Sequence, residues 1–267
     1  MNKTLFLKDL KRNFKKFLIW MVVIIGFNLI TMAIYPSIAG DMEALASFME
    51  FYPEQIAKAL GMNAISWSTP LGFYTTYFTF YVLMCGGMYA VGLGSTLIAR
   101  EEGAKTADFL LAKPMTRGEI VISKLLVFSI YIFLLNILAY LSTIILFSIV
   151  TDNFDVGRFT ILSVYGFLYT YMFGMLAMFI SVLIRRGRAL AGAMTGAVIG
   201  AYFIDMLSKV SEKSKVIGYI APNRFVNTDV TAAEYGFRTG EVIYFLVFIA
   251  AFAASVFFIY RKKDIYV

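Results

Sequence analysis

The chain has 267 residues, of which 60% are hydrophobic and only 15% charged, and its mean hydropathy is +0.76. Soluble domains carry about 25% charged and 45–50% apolar residues, so this composition cannot cover its own apolar surface in water, and lipid must solvate much of it. The formal charge of +7 would suit nucleic acid in a soluble protein, but here the basic residues fall in short segments between apolar runs. Membrane topology accounts for that pattern, and no nucleic-acid partner is expected. There is no histidine, and the single cysteine, Cys85, lies inside an apolar run. That excludes an intrachain disulfide and removes the commonest zinc ligand and the usual general base, so no catalytic, metal or cofactor site is expected in this chain.

At 100° per residue, Phe6, Leu7, Leu10, Phe14, Phe17 and Leu18 fall in one sector, with Lys8, Lys11, Arg12, Lys15 and Lys16 opposite and Lys3 as the exception. Residues 1–16 therefore predict an amphipathic helix lying in the inner headgroup layer, either a plain anchor or an interface helix that also meets a partner. Six apolar segments then suffice to cross a hydrocarbon core of about 30 Å: 17–34, 73–98, 125–150, 159–184, 189–207 and 242–260. Ser37-Ile38-Ala39 resembles a signal-peptide cleavage site, but the run before it exceeds the usual apolar length, so the segment reads as an uncleaved span.

Between the first two spans, Pro53 predicts a short helix over 54–60 in a mildly acidic connection. Basic residues set the orientation. The N-terminal segment, residues 100–124, residues 185–188 and the C-terminal Arg261-Lys262-Lys263 hold seventeen of the 24 Lys and Arg residues. The opposite side holds seven, which places both termini in the cytoplasm. The expected architecture is an all-α polytopic membrane protein of six transmembrane helices, one transmembrane domain over 1–267.

Interior polar groups are few. Asn28 and Asn136 read as interhelical hydrogen-bond partners or, alternatively, as part of a substrate path. Asp205 is the one candidate intramembrane carboxylate, placed near the outer interface. An ion-coupled carrier ordinarily needs such charges within its spans, and their shortage argues against one and for an amphiphilic or apolar substrate. Gly86, Gly87, Gly92 and Gly94 in the second span permit close helix approach. Gly192, Gly196 and Gly200 in the fifth repeat every four residues, for packing either within the subunit or against a second copy.

The connection after the second span reads REEGAKTADFLLAKPMTRGEIVISKLL. Gly103 loosens the end of the span, and Ala104, Ala107, Leu110 and Leu111 recur at helical spacing. Pro114 stops that helix, and Thr116 with Glu119 has the spacing of a capping box that starts the next. This segment resembles the cytoplasmic loop of ABC transporter permeases of the type-two exporter class, on Glu101, Glu102, Gly103, Leu110, Leu111, Pro114, Arg117 and Lys124. Ala104-Lys105 stands where that class often has Thr after the Gly. The six-span layout is similar too, as is Tyr219-Ile220-Ala221-Pro222-Asn223-Arg224-Phe225 within 208–241, which resembles short re-entrant helices near the outer surface.

The resemblance implies that residues 104–113 form a coupling helix docked on a separate ATPase subunit, with Glu101, Glu102, Gly103, Ala107, Leu110, Leu111, Pro114, Arg117 and Lys124 as the coupling residues. It further implies two ATPase copies binding ATP and Mg, a second permease copy as a homodimer or related chain, and a bacterial plasma membrane. No G-x-x-x-x-G-K-[ST] phosphate loop occurs, so the nucleotide site is expected elsewhere. The expected function is that of an exporter permease. The alternatives are a stand-alone secondary transporter or channel, and a non-transporting anchor or sensor for an ATPase.

Overall fold

A computed structural model describes residues 3–39, 51–60, 67–100, 116–151, 154–184 and 187–262. Among the described residues six helices are long and apolar enough to cross a membrane: α1 (Lys3–Ala39), α3 (Pro70–Leu97), α4 (Arg117–Val150), α5 (Val156–Leu183), α6 (Gly187–Ser208) and α7 (Thr239–Lys262). The short α2 (Glu54–Leu60) follows Pro53, whose carbonyl accepts from the Ile56 and Ala57 amides. Among the described residues there is no strand, and the protein is an all-α polytopic membrane protein.

Apolar composition all round each span makes burial, not amphipathicity, the guide to position. The most apolar stretches of α3 and α5 are 72% and 67% buried, against 11–28% for the other four, so these two form the centre of the bundle. They can lie together because glycines line their crossing. A Cβ on Gly94 would stand 2.2 Å from the Gly174 carbonyl oxygen, and one on Gly174 would meet the Phe128 ring at 2.4 Å. Small residues at a crossing let two backbones touch, which is the main source of helix association where lipid is as apolar as leucine. Gly86 faces Thr170 and Gly87 faces Val198 of α6 in the same way, whereas nothing described lies within 4 Å of a Cβ on Gly92.

Two structural differences from the sequence reading matter. Residues 1–16 and the first span were expected as separate elements; from Lys3 they form one helix continuous to Ala39. Its buried positions near the start are Leu5, Asp9, Asn13 and Phe17, one per turn, while Leu7, Phe14 and Leu18 of the aromatic sector are exposed. A stripe of two apolar and two polar residues, sharing only Phe17 with the apolar sector, therefore lies on the bundle, along α4 and α3. Within α3, residues Thr79–Cys85 wind as a π-helix between the α-helical parts Pro70–Phe78 and Gly86–Leu97. The wider turn turns Tyr81, Val82, Leu83 and Cys85 all inward.

The core divides into two apolar clusters along the bundle. One surrounds Leu5, Phe17, Leu97, Phe128 and Tyr260 at the end carrying the basic residues. The other surrounds Tyr35, Phe73, Phe147, Phe159 and Phe245 at the opposite end. There the connection before α7 winds into two 3-10 segments, Glu212–Ile220 and Pro222–Phe225, the first started by a Ser211–Ser214 capping box. Arg158 of α5 ties this connection down, its guanidinium donating to the carbonyls of Val230 at 2.6 Å, Ala232 at 2.9 Å and Ala233 at 3.3 Å. Burial pushes the Tyr235 phenol up, so it stays protonated and donates to the Asn227 carbonyl at 3.0 Å.

Candidate functional site

At the basic end, α3 and α4 meet on either side of residues 101–115. Seven of the expected coupling residues, Glu101, Glu102, Gly103, Ala107, Leu110, Leu111 and Pro114, lie outside the described residues, and Arg117 and Lys124 lie inside them. The start of α4 is fixed locally. Thr116 Oγ1 accepts from the Glu119 amide at 3.3 Å, and Glu119 Oε2 accepts from the Thr116 amide at 3.1 Å. This capping box satisfies two amides that no helical carbonyl can reach. Arg117 is half-buried in the first turn.

Lys124, two turns further on, is fully buried. Its Nζ donates to the Leu97 carbonyl at 2.6 Å, at the last residue of α3, and to Asp9 Oδ2 at 3.2 Å. Asp9 is also fully buried, and its other oxygen accepts from Arg12 at 2.6 Å. The Asn13 amide donates to the Asp9 carbonyl at 2.8 Å, and the Tyr131 hydroxyl of α4 donates to the Leu10 carbonyl. One ammonium thus joins three helices: the end of α3, the early part of α4 and the N-terminal turns of α1. A buried charge survives only when paired and hydrogen-bonded, and here carboxylate, guanidinium and carbonyl supply the partners. Lys16 lies close enough to Arg12, Arg100 and Arg188 to feel their charges, so the cations of three segments gather at this end.

Asp9 is the residue the sequence reading passed over. The available signal was its place in the Leu5, Asp9, Asn13, Phe17 register, the only acid among the first sixteen residues. Lys124 was expected among the coupling residues; its ammonium lies inside the bundle, bonded to the end of α3 and to Asp9 of α1.

The two asparagines occupy helix crossings. Asn28 Nδ2 donates to Thr143 Oγ1 at 2.8 Å, and the Tyr74 hydroxyl reaches Asn28 Oδ1 at 3.4 Å and Thr143 at 3.3 Å, joining α1, α3 and α4. Asn136 donates to the Ile132 carbonyl at 2.9 Å and to Thr170 Oγ1 at 3.2 Å, joining α4 to α5. Asn136 also borders a groove of about 210 Å³ with Tyr140, Thr160 and Phe167. Asp205 is buried in the last turn of α6, with Lys209 one turn on at 2.7 Å.

Gly187 at the start of α6 packs against Ser95 and Ala99 of the second span, but Gly192, Gly196 and Gly200 lie off the buried side of the helix. Its buried side runs through Leu190, Met194, Val198, Ala201 and Asp205. No described atom lies within 4 Å of a Cβ placed on Gly192, Gly196 or Gly200. Packing among the described residues does not use them.

The family described as ABC-2 family transporter protein matches residues 3–265 of the chain. No curated protein matches it.

Proposed function

The chain belongs to the ABC-2 transporter family and is an ABC transporter permease; we propose that it is the permease of an exporter driven by a separate ATPase subunit. The partner grips residues 101–115, and its movement reaches the membrane through the paired flanks of that segment. The observation that carries this reading is the Lys124 junction. Because one buried ammonium holds Leu97 of α3, α4 and Asp9 of α1 together, a force applied to the loop moves three helices as a unit. Leu110 and Leu111 supply the apolar contact to the ATPase, Pro114 ends the short helix that carries them, and Glu101, Glu102 and Arg117 flank it with charge. ATP and Mg are bound by the partner, in two copies.

The gathered cations at the junction support a cytoplasmic placement of this end, and hence of both termini, in a bacterial plasma membrane. The open glycine face of α6 supports a second permease copy, because residues this small every fourth position allow two helices to approach closely. The twelve helices of such a pair enclose the route outward.

Purification of the tagged chain in mild detergent from cells that express it naturally tests the reading. Vanadate-sensitive ATP hydrolysis is expected to travel with it. Recovery of the chain alone, transporting on an ion gradient in vesicles without nucleotide, contradicts the proposal.

A further inference from the structure

In the half of the bundle away from Lys124, the packing of α1, α3 and α6 leaves a cavity of about 440 Å³. That lies in the range of small-molecule sites, which are concave, largely apolar and furnished with a few polar groups. Phe27, Trp67, Phe73, Tyr77, Tyr81 and Tyr202 line it, and none of its described lining residues is charged. The walls are preset. Phe27 stacks on Tyr81 with ring planes 5° apart, Trp67 meets Phe73 edge-on at 5.1 Å, and the Trp67 indole donates to Thr76 Oγ1 at 3.0 Å.

Two further observations fall on the same wall. The lining residues Phe80 and Tyr81 belong to the π-helical segment Thr79–Cys85, and π-turns within α-helices are frequent at functional sites. The Tyr81 side chain is 1% exposed, and its hydroxyl lies near Thr31 and Tyr74 yet completes a hydrogen bond with neither. A buried hydroxyl without a partner is costly unless something else satisfies it.

We infer that this cavity binds an amphiphile with an aromatic body and no anionic group, which on the exporter reading is the transported substrate. The ring faces present negative quadrupole charge, so they attract a cation, accept a neutral ring and repel an anion. No described cation stands in the lining to offset that repulsion. The ligand's ring slots among the aromatic walls, and a polar atom on it bonds the Tyr81 hydroxyl.

The chain has two tryptophans, and Trp20 sits in the other half against Tyr89, so Trp20→Phe leaves Trp67 as a reporter inside the cavity. The full-length variant, in phosphatidylcholine nanodiscs without any ATPase, is titrated with dansylamide (neutral), dansylcadaverine (cationic) and dansylglycine (anionic). Energy transfer from Trp67 is expected to saturate for the first two, with the anion at least about tenfold weaker. Adding Tyr81→Phe, which keeps the ring and removes the hydroxyl, should weaken binding about three- to tenfold without changing the elution profile. Non-saturating transfer for all three probes, equal affinity for the anion, or indifference to Tyr81→Phe each overturns the assignment. The assay contains no partner, so its outcome is independent of whether an ATPase grips residues 101–115.

Discussion

Asp9 and Lys124 stand 115 positions apart in sequence and 3.2 Å apart in the fold, and neither reaches solvent. Removing one member of such a pair leaves the other charge buried and uncompensated, which costs about 3–5 kcal/mol, whereas replacing both by apolar groups can be nearly neutral. Asp9→Asn or Lys124→Met alone should therefore lower the thermal stability of the purified protein sharply, and Asp9→Leu with Lys124→Met should restore much of it. Thermal melts read by size-exclusion chromatography check this; equal and additive losses would show that the two side chains do not act as a pair. At this scale the sequence was half informative. Lys124 was recognisable from its place after the Leu-Leu and Pro residues, but its burial was not, because the partner that permits burial comes from another helix. Asp9 was hidden by a wheel that ranked the apolar sector first. In lipid, the residues that face protein are as often the polar ones, since solvent on the other side is itself apolar.

Local signals read well at the scale of elements. Thr116 and Glu119 form the capping box their spacing predicts, because both bonds close within four residues. Helix α2 follows Pro53 for the same reason. The continuity of α1 and the π-turn of α3 were not legible. The first depends on Asp9 finding Lys124 across the bundle, and the second on how Tyr74 and Tyr81 pack among α1, α4 and α5. The glycines of α3 and α6 look alike in sequence, yet Gly94 lies against the Gly174 carbonyl while no described atom lies within 4 Å of a Cβ on Gly196. That contrast makes a prediction for α6. In a Cys85→Ala background, Gly196→Cys should form a disulfide-linked dimer in native membranes under mild oxidation, and Val247→Cys on the exposed face of α7 should not. Equal crosslinking at both positions would mark collision in the bilayer and remove α6 from the interface between copies.

Across the whole molecule, composition and hydropathy sufficed for the six spans, because every backbone group within a bilayer must be satisfied inside a helix. The arrangement of those spans was not available from the same signal. All six are strongly apolar, so nothing in their hydropathy marks α3 and α5 as central; glycine crossings and interhelical bonds do that. The two halves of the resulting bundle differ in chemistry. Its basic end concentrates charge and binds α1, α3 and α4 through one ammonium, while its other half keeps an aromatic cavity, with no charge among its described lining residues, beside a π-turn. The lever proposed at one end and the ligand site inferred at the other fit a machine in which a partner's motion opens or closes α3 against its neighbours. The most direct measurement replaces Leu110 and Leu111 together with Asp and asks whether the ATPase still copurifies. The account predicts that the variant inserts and melts as the parent does but loses the copurifying ATPase. Full recovery of the ATPase with that variant would contradict the claim that residues 101–115 are where the motor takes hold.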